Sequence, residues 1–319
     1  MWGHEIIVIG ASAGGVEALP RLIASLPADL PASVFVVLHI PAHGPDLFAE
    51  IVGRNAVLQV ANGIDGEKIR RGRVYLAPPD LHLQVEDGRV RLCRGPRENR
   101  HRPAIDALFR SAAENYGPRV TGVVLTGHQD DGTAGLNSVK THGGVTIVQD
   151  PEDALVPAMP QSALRNVKVD HCVPLADIGP LLVRLSSAQT IPARKPRATK
   201  VEQRQLAPEA MRKKFGPPTG FICPECSGPL WETKVGRALQ FRCHVGHAYS
   251  PESLLADHAN GLERALWSAV RTFDEQAALL RRLGEKRFSN GTTGDDLATR
   301  AKKFERDADA IRKLLQANR

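Results

Sequence analysis

Cysteine is scarce in this chain, five residues in 319. An odd number spread over that length excludes the disulfide framework of a small secreted protein. Long apolar runs are missing as well, and none approaches the roughly 20 residues that a membrane-spanning helix needs. Met1-Trp2-Gly3-His4-Glu5 leads straight into an apolar segment without a basic stretch or cleavage site, so no signal peptide is expected. Aromatic residues make up only 5%. What is there, 42% hydrophobic and 24% charged residues, is globular composition and excludes disorder and collagen-like repeats. The length suits about two domains, each burying its own core. A reducing cytoplasm is the expected setting.

The formal net charge of +7 is unevenly placed. Arg194, Lys195, Arg197, Lys200, Arg204, Arg212, Lys213 and Lys214 crowd between Ser186 and Gly220, opposed only by Glu202 and Glu209. Such a run can touch nucleic acid, but its first reading is a solvated tether.

Residues 5–185 alternate short β-branched runs with helical patterns. The runs are Glu5–Ile9, Ser33–Leu38, Arg73–Leu76, Val120–Thr126 and Val145–Val148; the helical stretches include Val16–Ser25, Asp46–Val52, Ala104–Ala113 and Ala134–Thr141. This alternation predicts an α/β domain, a doubly wound and mostly parallel sheet. Leu81–Val85 and Arg89–Cys93, joined through Glu86-Asp87-Gly88, predict a hairpin insertion. After Pro251, Leu255, Ala259, Leu262, Leu266, Ala269, Phe273 and Leu280 recur mainly at steps of three and four. Leu297, Ala301, Phe304, Ala308, Ile311 and Leu315 resume that spacing beyond a Ser/Gly-rich break. The pattern predicts a helical hairpin or a short coiled coil.

The expected division is therefore a catalytic domain over 1–188, a basic Pro-containing linker over 189–219, a cysteine-bearing module over 220–250 and helices over 251–319.

Gly10-Ala11-Ser12-Ala13-Gly14 joins the first strand to the first helix. A dinucleotide fingerprint would need glycine where Ser12 stands and an acid ending the next strand, which instead ends at Leu38-His39. The stretch does match G-x-S-x-G, a sharp turn that presents a serine at a helix N-terminus. In an open parallel sheet, sites form beyond the carboxyl ends of strands. Three such ends offer Ser12, His39 and the Asp130-Asp131 pair, the inventory of an acyl-transfer triad. Their chain order, Ser, His, Asp, is not that of the α/β-hydrolases.

Gly10-Ala11-Ser12-Ala13-Gly14-Gly15, Tyr75-Leu76-Ala77-Pro78 with Asp80 and His82, Asn99-Arg100-His101-Arg102-Pro103, and Leu125-Thr126-Gly127 with Asp131-Gly132 form a set. Together with His39-Ile40-Pro41 it resembles the catalytic domain of chemotaxis protein-glutamate methylesterases (CheB type). The resemblance implies a Ser12–His39–Asp131 triad that hydrolyses glutamate methyl esters on chemoreceptor cytoplasmic domains, with glutamine deamidation in some relatives. It implies oxyanion donors from the backbone of Ala13 and His128, and a substrate groove lined by Arg100 and Arg102. Asp130 is the alternative orienting acid. Ala13 stands where many relatives carry threonine, and His128-Gln129 replace the usual methionine and glycine. The family's commonest architecture places a receiver domain ahead of the esterase. With the first strand at Glu5, the expectation is a stand-alone form, open to a separate response regulator or to self-association through the C-terminal helices.

Cys223-Pro224-Glu225-Cys226 and Cys243-His244-Val245-Gly246-His247 have the spacing of a small zinc ribbon. The expected ligands are Cys223, Cys226, Cys243 and His247, with His244 as the alternative fourth. Four protein ligands imply a structural zinc, and no cofactor is expected for catalysis. Two rivals stand beside the methylesterase: a serine hydrolase acting on another ester or amide, and an idle scaffold binding nucleic acid or protein through ribbon and linker. Nucleic acid is the less expected partner, because Phe221–Ser250 lacks a dense basic face.

Overall fold

The computed structural model describes residues 5–41, 47–188, 207–235, 238–285 and 294–317. Its elements in chain order are β1 (Glu5–Ala11), α1 (Gly15–Ala24), β2 (Ala32–Leu38), α2 (Phe48–Gly53), β3 (Gln59–Asn62), β4 (Arg73–Leu76), β5 (His82–Glu86), β6 (Arg89–Cys93), α3 (Ile105–Tyr116), β7 (Val120–Val124), α4 (Thr133–Thr141), β8 (Val145–Gln149), α5 (Ala158–Asn166), β9 (His171–Val173) and α6 (Leu175–Ala188). Then come α7 (Pro208–Phe215), β10 (Leu230–Val235), β11 (Ala238–Cys243), β12 (Ala248–Tyr249), α8 (Pro251–Glu285) and α9 (Gly294–Ala317).

Seven strands form one parallel sheet in the order β3-β4-β2-β1-β7-β8-β9. The apolar runs are continuous rather than alternating because both faces are covered. Ile7 and Ile9 of β1 pack into a core with Leu19, Leu22 and Ile23 of α1, Phe48 of α2 and Leu181 of α6. Ile6 and Val8 face the opposite core, with Leu108 and Phe109 of α3, Leu136 of α4 and Met159 of α5. From β1 the chain passes to β2, then to the edge strand β3 and back to β4 between them, before it crosses to β7 and winds the other way through β8 and β9. The switch point therefore falls between β1 and β7, where an open sheet leaves a crevice at its carboxyl edge.

The hairpin of β5 and β6 forms as expected and buries Leu83, Val85 and Val90 against the α3 side. Two edge strands escape the sequence pattern. β3 is polar and partly exposed, and β9 is three residues long, so neither carries an apolar run.

The same compact unit, Met1–Leu254, contains a three-stranded antiparallel sheet of β10, β11 and β12. The expected linker ends sooner than 219. Pro208–Phe215 is helical, Met211 is buried, and the Trp231 indole donates to the Gly216 carbonyl at 3.1 Å. Pro208 at the first turn and the basic last turn Arg212-Lys213-Lys214 suit helix ends. These charges thus belong to a packed helix, while Arg194, Lys195, Arg197, Lys200 and Arg204 lie outside the described residues.

The second unit is Leu255–Arg319. In it α8 and α9 pair antiparallel through stacked Phe273 and Phe304, with ion pairs Asp274–Arg312 and Arg281–Glu305. Ala277, Ala301 and Ala308 are buried between them, but Leu255 and Leu262 stay exposed. α9 has 24 residues against the 35 of α8 and is too short to cover the whole apolar stripe. Among the described residues, no helix is long and apolar enough to cross a membrane.

Candidate active site

The turn after β1 is held from beneath. Gly10 has no room for a Cβ, which would lie 2.3 Å from the Ile105 side chain, and Gly14 adopts φ 81, a region that favours glycine. The Ser12 N–H donates to the Thr126 carbonyl at 3.0 Å, tying the serine to the loop after β7. That loop comes close because residue 127 is glycine. A Cβ there would lie 2.1 Å from the Met159 sulfur and 2.8 Å from the Ser12 Cβ.

His39 leaves the end of β2 one strand away, its N–H on the Ala11 carbonyl at 3.2 Å. Its Nδ1 lies 3.1 Å from Ser12 Oγ and its Nε2 lies 2.7 Å from Asp131 Oδ2. With the Nε2 proton donated to Asp131, Nδ1 is the lone-pair nitrogen facing the serine hydroxyl.

Asp131 is the most heavily hydrogen-bonded carboxylate of the domain. Beside His39, its Oδ2 accepts from the Ile105 N–H at 2.7 Å. Its Oδ1 accepts from Asn99 Nδ2 at 3.0 Å, the Gly132 N–H at 3.0 Å and the Asp106 N–H at 3.2 Å. Two of these donors open α3, so the carboxylate sits at a helix N-terminus. Burial would raise its pKa, but the His39 contact and the Asn99 amide outweigh that and hold it well below the usual carboxylate range. Asp106 goes the other way, pushed well up by burial and then by the Asp131 charge.

Two residues of the tight turn at 98–101 complete the surroundings. Asn99 bridges Asp131 and Asp106. His101 lies flat on His39, ring centroids 3.5 Å apart and planes 7° from parallel. Burial, then the neighbouring His39, lower the His101 pKa to about 3, so it stays neutral. Both residues lie within a motif visible in the sequence, yet no periodicity or spacing assigns them a contact.

The remaining expected residues divide. Asp130 accepts from the Ser250 hydroxyl at 2.8 Å, and burial raises its pKa to about 7. Arg102 is committed to Asp80, at 2.9 and 2.6 Å, and to the Gly95 carbonyl at 2.8 Å. It braces the 80–102 region: a single oxygen of the Asp80 carboxylate accepts from both its Nε and its Nη2, while the other oxygen pairs with Arg94. Arg100 is half-buried with φ 72. The Ala13 and His128 N–H groups donate to no other described residue, and the His128 side chain is exposed.

A second cluster lies in the small sheet. One ligand atom from each of Cys223, Cys226, Cys243 and His247 falls within 4.8 Å of the others. Cys226 and Cys243 sulfurs are 3.6 Å apart, and His247 Nδ1 lies 3.5 Å from Cys243 Sγ and 3.7 Å from Cys223 Sγ. A tetrahedral ion with Zn–S of about 2.3 Å puts neighbouring sulfurs about 3.8 Å apart, so the set fits such an ion. His244 is outside it, its ring against Gly228.

A serine, an imidazole and a buried carboxylate in series at the switch point of a parallel sheet define the arrangement of a serine hydrolase. The sequence model of the CheB methylesterase family matches residues 7–182, and the chain belongs to that family. It is 42% identical over 187 residues to protein-glutamate methylesterase/protein-glutamine glutaminase 1 of Xanthomonas campestris pv. campestris, covering 57% of this chain and 52% of that protein. It is 38% identical over 183 residues to a putative protein-glutamate methylesterase/protein-glutamine glutaminase of Leptospira interrogans, covering 57% of this chain and 95% of that one. The crystal structure of the Thermotoga maritima CheB methylesterase catalytic domain superposes with TM-score 0.54 at 36% identity, covering 57% of this chain and 98% of that one. The chain thus spans about half the length of the Xanthomonas relative, and the cysteine module and C-terminal helices lie beyond the family match.

Proposed function

We propose that the protein is a protein-glutamate methylesterase, with glutamine deamidation as the parallel reaction, acting on the cytoplasmic domains of methylated chemoreceptors. The observation that carries this reading is the series Ser12 Oγ, His39, Asp131, with 3.1 and 2.7 Å between partners, inside a chain of the CheB methylesterase family.

Ser12 Oγ attacks the ester carbonyl while His39 Nδ1 takes the hydroxyl proton. The N–H groups of Ala13 and His128, which donate to no other described residue, serve the oxyanion in this reading. As the tetrahedral adduct collapses, the proton on His39 passes to the departing methoxide and methanol leaves. Water then attacks the acyl-serine with His39 again as base, releasing glutamate and restoring Ser12. With glutamine the leaving group is ammonia. Asp131, held ionised by its surroundings, keeps the imidazole tautomer and stabilises the imidazolium in both steps.

Cys223, Cys226, Cys243 and His247 would hold a structural Zn²⁺ that supplies the fold energy of the small module and takes no part in the reaction. Metal analysis of protein expressed with zinc should find one equivalent, lost in Cys226→Ser; no bound metal would remove this part of the reading.

The deciding experiment is methanol release from methylated chemoreceptor membranes. Wild type should release methanol and Ser12→Ala should not. Release that survives in the variant removes Ser12 from the mechanism, and no release from wild type rejects the substrate.

A further inference from the structure

The cysteine module and the triad meet at one residue. β12 follows the expected ligand His247 directly, and the carbonyl of its first residue, Ala248, accepts from the Asn99 N–H at 2.8 Å. The Ser250 N–H donates to Asn99 Oδ1 at 3.0 Å. The other end of the same side chain, Nδ2, donates to Asp131 at 3.0 Å and to Asp106 at 2.8 Å. Glu98 repeats the pattern next door. It is buried, paired with Arg110 of α3 at 3.0 and 2.6 Å, and faced by Arg242 of β11, the residue before Cys243, at 3.9 Å.

The turn this module grips is strained. Asn99 and Arg100 both have positive φ, 48 and 72, a region that non-glycine residues rarely adopt. Such a turn persists only where its surroundings over-determine it. Here they do so partly through the module, and the turn touches two members of the triad, Asp131 through Asn99 and His39 through the His101 ring.

The buried cluster around the expected ligands is small. It comprises Cys223, Leu230, Phe241, Cys243, Tyr249 and Leu254, and two of these are expected metal ligands. A core so small needs a staple. A metal held by Cys223, Cys226, Cys243 and His247 would supply that staple.

We propose that Asn99 is a positioning residue through which metal loading of the Cys223/Cys226/Cys243/His247 site sets the geometry of the Asp131–His39 pair, so that the metal acts as a remote switch on the triad. The inference rests on the esterase and metal readings above. Loss of metal frees β12, withdraws the Ala248 and Ser250 partners from Asn99, and lets its amide leave Asp131. The carboxylate then loses one of its donors and the turn loses the support that keeps His101 on His39.

The test uses the full chain and two readouts, ester hydrolysis and the downfield proton resonance of the His39–Asp131 hydrogen bond. Stripping zinc with a chelator should lower kcat about tenfold, the rate equivalent of one lost hydrogen bond to a charged group. KM should stay within about twofold, the resonance should broaden, and both should return when Zn²⁺ alone is added back. Asn99→Gly, which relieves the φ strain while deleting the bridge, should show the same loss with zinc bound and no further loss on chelation. Asn99→Asp keeps the acceptor for Ser250 but turns an oxygen toward Asp131. It should lose kcat while retaining zinc and the wild-type circular dichroism spectrum, separating positioning from folding. The proposal is overturned if no zinc is bound, if stripping leaves the resonance unchanged, or if the chelation and Asn99→Gly losses multiply. A zinc-sensitive resonance in a protein that hydrolyses no ester would reject the esterase reading and leave the coupling standing.

Discussion

The imidazoles of His39 and His101 lie face to face, 3.5 Å between centroids, and the second ring is kept neutral by burial. A neutral π face against the ring that becomes cationic in each chemical step favours that cation without adding charge. His101→Phe should therefore keep activity within a few-fold. His101→Ala, which removes the face and leaves a cavity beside His39, should lose about tenfold in kcat. Steady-state kinetics of the two variants check this, and equal losses would deny the stack a role.

Asp131 receives five hydrogen bonds, four of them from groups other than His39. Asp131→Asn should lower kcat by about 10⁴-fold by allowing the wrong imidazole tautomer. It should also lower the melting temperature, because an amide group must then face N–H donors. A variant with unchanged melting temperature would mean that the carboxylate is less embedded than its contacts indicate.

Gly127 has no space for a methyl group between Met159 and Ser12. Gly127→Ala should cost stability, about 1–3 kcal/mol as for other overpacked sites, and should displace the loop carrying His128. Denaturant unfolding together with kcat reads both effects, and a fall in stability without any change in rate would detach this loop from the chemistry.

Asp130 gains protons on folding. Its pKa is raised to about 7, first by burial and then by the nearby Glu252 and Asp131 charges, against the Ser250 hydrogen bond. The unfolded chain releases that proton near 4, so between about pH 4 and 7 the native state binds more protons and stability falls as pH rises. The slope for one such group is at most about 1.4 kcal/mol per pH unit. Asp130→Asn keeps an acceptor for Ser250 and should flatten the decline of the urea midpoint between pH 5 and 8. An unchanged decline would place its source elsewhere.

The meeting of Ser12, His39 and Asp131 at the sheet's carboxyl edge was legible because each group follows its own strand. Ser12, His39 and Asp131 follow β1, β2 and the β7 loop directly, and the winding rules of parallel sheets put those ends on one edge. The Cys/His spacing was legible for a similar reason, since two short knuckles encode a tetrahedral set locally. The edge strands β3 and β9 and the helix Pro208–Phe215 were not. The first two carry too few apolar residues to form a pattern, and the helix hides in a basic stretch whose one anchor, Met211, has no periodic companion.

The choice between Asp130 and Asp131 could not come from the sequence, because the two adjacent carboxylates differ only in their tertiary partners, His39 and the start of α3 for Asp131 and the Ser250 hydroxyl for Asp130. Arg102 could not be distinguished from a ligand-binding arginine until Asp80 lay beside it. His101 on His39, and Asn99 between the module and Asp131, join residues more than 30 and up to about 150 positions apart. The sequence by itself determined the five inner strands of the sheet, the serine turn and the Cys/His knuckles, because strand, turn and ligand spacing are local properties of the chain. Only the tertiary structure decided which carboxylate serves the imidazole and what supports it, because those contacts depend on where separate elements pack against each other.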